Sequence, residues 1–371
     1  MSPGVKNQIL RTLNIPLLVI VGMLAIFGSV VVQSATSGMG AGDAMFQRHL
    51  IGVALGLVFL VLAASIDYRK FEGWFGPLML FNAFLIISPH IPGLGATAKG
   101  ATSWLEVAGV RLFQPSEPAK LVTILVMAVV IAKYKGSISS TKDLLKVMGY
   151  LAVPLGLIFL QPDLGTGMVF VAIVLGMLVI GGLRARLFLL IALVGVLAIF
   201  GVFQADLLAE YQKNRLLVFV DPDLDPRGAG YNLAQSKIAV GSGGLTGQGL
   251  GTGTQGNLNF LPERHTDFIF AVLGEELGFL GTMMLLALFL ALLITALGIA
   301  ARARDLTGSL IAVGIISMWF FQILQNVGMS IGLMPITGLP LPFMSFGSSF
   351  MIVNFAAVGM LLSVWGRRYS A

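Results

Sequence analysis

Apolar residues run along this chain in long, barely interrupted stretches. Ten can be marked, at approximately 15–34, 49–66, 73–91, 117–133, 147–161, 165–183, 187–204, 278–301, 307–328 and 342–365. None shows the two-residue alternation of a barrel strand, and a run apolar on every side predicts a buried or lipid-facing helix. A hydrocarbon core of about 30 Å takes roughly 20 such residues per crossing. The pattern predicts an all-α polytopic membrane protein of about ten transmembrane helices, with the first run kept as a permanent span for want of a small-residue cleavage pattern.

The interruptions carry the rest of the information. Spans four and five are expected to be short, which calls for a thinned or recessed membrane. Residues 205–277 are too many for a plain connection and predict a large extracytoplasmic loop between helices 7 and 8, inside a single membrane domain spanning 1–371. Within it, Leu233, Lys237 and Val240 have the spacing of a short amphipathic helix lying on the membrane. The glycines from Gly241 to Gly256 either let backbone amides approach a ligand or simply loosen the loop. The three prolines of residues 334–349 predict a rigid, partly re-entrant turn.

Composition agrees: 57% of the 371 residues are hydrophobic and 11% charged, outside the range of soluble domains. The chain has no cysteine, which excludes disulfides and thiolate metal sites. With the N-terminus placed in the cytoplasm, 14 of the 23 Lys and Arg fall in or beside the inner links and the C-terminal tail, so both termini are expected to be cytoplasmic. The net charge of +6 is then a feature of topology and no footprint for nucleic acid. On the same assignment 13 of the 17 acidic residues and all three histidines face outward.

The chemistry concentrates in 245–278, where Glu263, Arg264, His265, Asp267, Glu275 and Glu276 supply four carboxylates and two possible cations. Asp267 precedes the apolar run Phe268 to Leu273 and is expected at the start of a helix, either as its N-cap or as a reactive group. Two further polar motifs, FQPSEPAK at 113–120 and QPDLGTG at 161–167, open spans four and six. Ser116 and Asp163 are expected to cap those helices, and Glu117 and Lys120, three apart, to pair. Helix starts suit anions, and a charge at membrane depth costs roughly 2.5–3.5 kcal/mol, so such groups usually face a cavity. A purely structural capping role is the alternative.

Five motifs in order, FQPSEPAK, QPDLGTG, QSKIAVGSGGLTGQGLGTGTQ, LPERHTDFIFAVLGEELG and LPLPFMSFG, make the chain resemble the SEDS family (shape, elongation, division and sporulation) over nearly its whole length. NFLPERHTD favours the elongation branch over the division branch. The resemblance implies a peptidoglycan glycosyltransferase that polymerises lipid II outside the cytoplasmic membrane, for elongation and rod shape. It also implies a class B penicillin-binding protein as transpeptidase partner, within the cell elongation machinery and among membrane lipids. Carried over by motif, the essential aspartate of the family falls on Asp267, conserved charged positions fall on Arg111, Glu117 and Lys120, and the QPDLGT aspartate falls on Asp163. Ser348 departs from the pattern, standing where the family more often has glycine.

That activity asks for a carboxylate base on a sugar hydroxyl and for positive charge at a departing pyrophosphate. Arg215, Lys120 or Arg111 can supply the charge, as can Mg²⁺ or Mn²⁺ on hard oxygen ligands, with no organic cofactor expected. Glu263 and His265 flank Asp267 as further binding candidates. The rivals are a lipid II flippase, a division-type polymerase and a scaffold. No inverted repeat relates the halves, which disfavours the flippase, and a scaffold would leave the carboxylate cluster without a cause.

Overall fold

The computed structural model describes residues 13–91, 93–98, 101–107, 110–204, 210–226, 228–253 and 260–369. Among them are twelve α-helices: α1 (Ile15–Thr36), α2 (Gly42–Ser65), α3 (Phe75–Ile87), α4 (Ser116–Ala132), α5 (Thr141–Phe159), α6 (Leu164–Ile180), α7 (Ala185–Gln204), α8 (Glu210–Val220), α9 (Ala229–Ser242), α10 (Ile269–Ala301), α11 (Leu306–Ser330) and α12 (Ser348–Gly366). Each of the ten apolar runs falls on one of them. Five, α1, α2, α10, α11 and α12, are long and apolar enough to cross a membrane, with α6 and parts of the α3 and α7 regions as shorter apolar helices.

The chain forms two compact units. One comprises Met1–Ser65, Asn214–Gly298 and Trp319–Gly366, the other Ile66–Lys213, Ile299–Met318 and Arg367–Ala371. In the first, α12 packs along α2 through a small-residue seam: a Cβ on Gly56 would stand 2.4 Å from the Phe355 ring, and one on Gly52 2.8 Å from the Cα of Ser348. Gly-x-x-x-Gly spacing is how helices approach closely in lipid, where burying apolar surface supplies no drive.

In the second unit α4 packs on α3, α5 and α6. At 17 residues, α4 is about 25 Å long and fits the expected short span. The expectation for span five is overturned. α5 starts at Thr141, with Ser140 accepting from Lys142 N at 3.2 Å, because the charged turn before its apolar run is itself helical. Ser116 is also corrected: the carbonyl of Pro115 already accepts from Ala119 N, so Pro115 is the cap and Ser116 the first helical residue. A three-stranded antiparallel sheet that the apolar pattern did not reveal precedes α4, in the order β1 (Gly95–Ala98), β2 (Ala101–Val107), β3 (Val110–Phe113). Two of its strands have only four residues, and β2 shows no sustained two-residue alternation, so the sheet does not stand out from a polar link.

The expected long loop is largely helical where described, in α8, α9 and the first nine residues of α10. On α9 the buried side is Gly230, Leu233, Ser236 and Ala239, with Lys237 exposed. α10 breaks at Gly278, whose φ of 63° and ψ of −160° are non-helical. The glycine loop fills this break. Gln248 N and Gly249 N donate to the carbonyls of Glu275 and Glu276, and Phe279 N and Leu280 N donate to those of Gly244 and Leu245, at 2.9–3.1 Å. A Cβ on Gly247 would lie 2.1 Å from the Glu276 carbonyl oxygen. Gly243 and Gly247 thus serve close contact with the backbone of residues 274–277, whereas Gly241 and Gly244 have open space beside them and Gly253 lies against the Glu275 carboxylate; Gly256 of the series lies outside the described residues.

Candidate functional site

The turn that carries Asp267 is built around one carbonyl. The oxygen of Glu263, a residue held at a positive φ of 54°, accepts from Thr266 N, Asp267 N and Phe268 N at 3.0–3.3 Å. The Glu263 carboxylate accepts from the Thr266 hydroxyl at 2.9 Å, so it braces the turn. α10 follows at Ile269, and the Phe268 carbonyl accepts from Val272 N, which puts the N-cap position on Phe268 and not on Asp267.

Three successive carbonyls fix this turn from outside. That of His265 accepts from Phe346 N at 2.9 Å, that of Thr266 from Ser345 Oγ at 2.6 Å, and that of Asp267 from Asn326 Nδ2 at 2.8 Å. Asn326 Nδ2 also donates to the Leu339 carbonyl at 2.8 Å, tying the proline-rich turn to the same place. That turn keeps α12 from starting before Ser348, since Phe343 has φ 61° and Gly347 φ 152°. The segment is thus held through its own backbone carbonyls while the Asp267 side chain stays half-buried and directed at Gly338. A Cβ on Gly338 would lie 3.3 Å from Asp267 Oδ2 and 3.9 Å from Arg215 Nη1. Carboxylate and guanidinium therefore converge on a spot that only a glycine leaves open, at φ 73°.

Gly338→Ala should consequently cost activity out of proportion to stability. The left-handed backbone penalises alanine by about 1 kcal/mol, and the methyl enters the space between the two charged groups. A fall in turnover of at least roughly tenfold is expected, with membrane abundance near normal. Unchanged turnover of the purified variant would show that the space is not used.

Arg264, beside the turn, is 1% exposed and donates from Nε to the Ala35 carbonyl at 2.7 Å. Burial draws its guanidinium below the ordinary value, against the pull of Glu276 and Glu275. His265 lies against Phe346, ring centroids 5.4 Å apart.

The second unit holds its own charged pair. Lys120 Nζ lies 2.8 Å from Glu117 Oε1, with the two side chains 0% and 6% exposed. Glu117 Oε2 and Ser116 Oγ are buried and have no hydrogen-bond partner among the described residues. Asp163 is confirmed as the cap of α6, with Oδ1 accepting from Thr166 N at 3.0 Å and Oδ2 from the Thr166 hydroxyl at 2.8 Å. The carbonyl of Pro162 in the same motif accepts from Tyr211 and Gln212, both at 2.8 Å. Arg111 sits on β3 opposite Glu106; its side chain lies outside what is described.

So the structure brings Asp267, Arg215, Glu263 and His265 into one unit, and Glu117, Lys120 and Asp163 into the other. Sequence reasoning missed Asn326, Gly338 and the burial of Arg264. A signal for the first existed: Gln322, Gln325 and Asn326, at i, i+3 and i+4, place three amides on one face of an otherwise apolar helix.

A family model described as cell cycle protein, covering FtsW, RodA and SpoVE, matches residues 8–369. The chain belongs to this family. The peptidoglycan glycosyltransferase MrdB of Escherichia coli K12 is 41% identical to it over 352 residues, 95% of this chain and 93% of the relative. Stage V sporulation protein E of Bacillus subtilis is 38% identical over 361 residues, 95% and 97% of the two chains. Among solved structures, a chain of a peptidoglycan synthase complex that coordinates polymerization and crosslinking superposes with a TM-score of 0.80 at 30% identity, over 96% of this chain and 98% of that one. The rod shape determining protein RodA of Thermus thermophilus gives 0.70 at 28%, over 96% and 97%. This member of the FtsW/RodA/SpoVE family is a multi-pass membrane protein.

Proposed function

We propose that the chain is a peptidoglycan glycosyltransferase of the elongation type, polymerising lipid II with Asp267 as general base. The observation that carries the assignment of the base is the convergence of Asp267 and Arg215 on Gly338, on a backbone fixed independently of the carboxylate. In the reaction the 4-hydroxyl of one disaccharide attacks the anomeric carbon of the other. Its proton passes to the Asp267 carboxylate, the new glycosidic C–O bond forms with inversion, and the bond to undecaprenyl pyrophosphate breaks. A cation within reach, Arg215 in this unit, stabilises the negative charge on the leaving group. Glu117 and Lys120 form a second binding element: the pair is internally compensated, and Glu117 Oε2 is left as an acceptor for a substrate hydroxyl or amide.

Among the described residues no three His, Asp or Glu side chains converge to hold a metal ion. A Mg²⁺ or Mn²⁺ ion in the reaction would accordingly take most of its ligands from the pyrophosphate and water, and no step runs through it. The same reading has ten spans, a bacterial cytoplasmic membrane, cytoplasmic termini and an outward-facing 205–277 segment in one membrane domain. The partner is a class B penicillin-binding protein that cross-links the emerging strand, as fits the synthase complex to which the chain is similar.

Purified protein supplied with labelled lipid II should yield glycan polymer, and in liposomes should not move lipid II between leaflets. Flipping without polymer would replace the proposal with the transporter reading. For topology, a cysteine at the exposed Leu224 should react with an impermeant maleimide in intact cells, and one at the exposed Ser137 should not. Gln212, in the same segment, is buried and unsuitable as a probe. The reverse pattern would invert the topology.

A further inference from the structure

We propose that a groove in the second unit, between α3, α4 and α5, is a binding site for an anionic phospholipid of the cytoplasmic leaflet. The groove encloses about 450 Å³ and is lined by Met79, Val130 and Val153 as its apolar floor, with Lys133, Tyr134, Lys146 and Tyr150 around it and Gly149 in its wall. None of these residues is acidic. Among the described residues neither ammonium is held in an ion pair, and Asp143, in the first turn of α5, pairs with neither. Lys133 Nζ instead lies 5.0 Å from the centroid of the Phe75 ring, whose neighbour is the Tyr150 ring, edge-on at 5.4 Å. An aromatic face holds the cation in place without neutralising it, so its hydrogen-bonding capacity is kept for a ligand.

The chemistry specifies the occupant. Two uncompensated ammonium groups select a ligand with negative charge, two phenols supply hydrogen bonds to phosphate and glycerol oxygens, and the apolar floor takes the first part of an acyl chain. A free phosphate would leave that floor bare. A zwitterionic phospholipid would bring its own cation against Lys133 and Lys146. Gly149 is where the chain passes: a Cβ there would have nothing within 4 Å, so the wall is open at that residue. Only the choice of leaflet rests on the cytoplasmic placement of the 134–146 link. The consequence reaches further along α4, an unbroken helix with Lys133 following its last residue and the Glu117–Lys120 pair in its first two turns. A lipid wedged among α3, α4 and α5 fixes the helix that presents that pair, which makes polymerisation depend on the lipid around the protein.

The test uses the full-length protein in nanodiscs and native mass spectrometry of the lipids it retains, with no activity needed, so that its failure is separate from failure of the glycosyltransferase reading. Wild type should retain one phosphatidylglycerol in preference to phosphatidylcholine. Lys133→Gln/Lys146→Gln should lower that retention roughly tenfold or more, from the loss of two charges near the headgroup. Gly149→Leu keeps both charges, favours the helix and fills the opening; it should lower retention severalfold with an undiminished melting temperature. In phosphatidylglycerol nanodiscs both variants should lose the activity advantage that wild type shows over pure phosphatidylcholine. Retention equal to wild type in either variant would overturn the site. Displacement of the lipid by millimolar inorganic phosphate would overturn it too, in favour of a free anion.

Discussion

Asp267→Asn protein should reach the membrane at normal abundance and form glycan polymer roughly 10²–10⁴-fold more slowly than wild type, the range expected for loss of a general base. Asparagine has the shape of aspartate and accepts hydrogen bonds through its carbonyl, so a loss can be read as chemical. Neither main device that places the turn depends on the carboxylate. The three carbonyls of residues 265–267 are held by Phe346 N, Ser345 Oγ and Asn326 Nδ2, and Phe268 occupies the N-cap position. Were Asp267 only an N-terminal stabiliser of α10, asparagine would substitute with near-normal polymerisation. The measurement is single-turnover polymerisation of labelled lipid II by purified protein, alongside co-purification of the penicillin-binding protein as a check on folding. Substantial polymer would remove Asp267 from the role and turn attention to Glu263, whose carboxylate would first have to give up the Thr266 hydroxyl.

The second large effect separates stability from activity at the buried pair. Glu117→Gln takes the carboxylate away from the buried Lys120 ammonium, and Lys120→Met takes the cation away from the buried carboxylate; each should destabilise by about 3–5 kcal/mol. The double variant removes both charges and should recover most of that loss, because the two effects arise from one contact. Activity should behave otherwise. If Glu117 Oε2 and Lys120 meet the substrate, all three variants stay below a few per cent of wild-type polymerisation, roughly the cost of losing a charged contact in a closed site. A double variant that regains both melting temperature and activity would reduce the pair to scaffolding.

The helices were legible in the sequence because lipid imposes one strong rule on long apolar runs, and each of the ten runs lies on a helix, five of them long and apolar enough to cross a membrane. Their ends were less so. Thr141 to Asp143 is helical and polar, and Phe343 and Gly347 delay α12 through backbone angles that no hydropathy pattern records. Asp267, Glu117, Lys120 and Asp163 were visible as charges in apolar surroundings. Their settings were not: Asp163 spends both oxygens on Thr166, and Glu263 braces its own turn. The amide face of Gln322, Gln325 and Asn326 marks Asn326 as unusual, but its two partners, carbonyls 59 and 13 residues away, leave no trace in that spacing. For the glycine-rich loop the sequence leaves ligand approach and simple looseness open; Gly243 and Gly247 lie against the backbone of residues 274–277, a close approach that composition alone does not reveal.

That loop bears on how the protein is assembled. Breaking α10 at Gly278 strands carbonyls and amides where few waters can reach them, and four hydrogen bonds from residues 244–249 take them up. The nine-residue segment from Ile269 to Leu277 is too short to persist as a helix unaided. It becomes rigid once the preceding loop has folded back upon it through those four hydrogen bonds. A nick between Gly243 and Gly249 in the mature protein would loosen the four contacts around the Gly278 break while leaving the bonds from Phe346, Ser345 and Asn326 to the reactive turn in place.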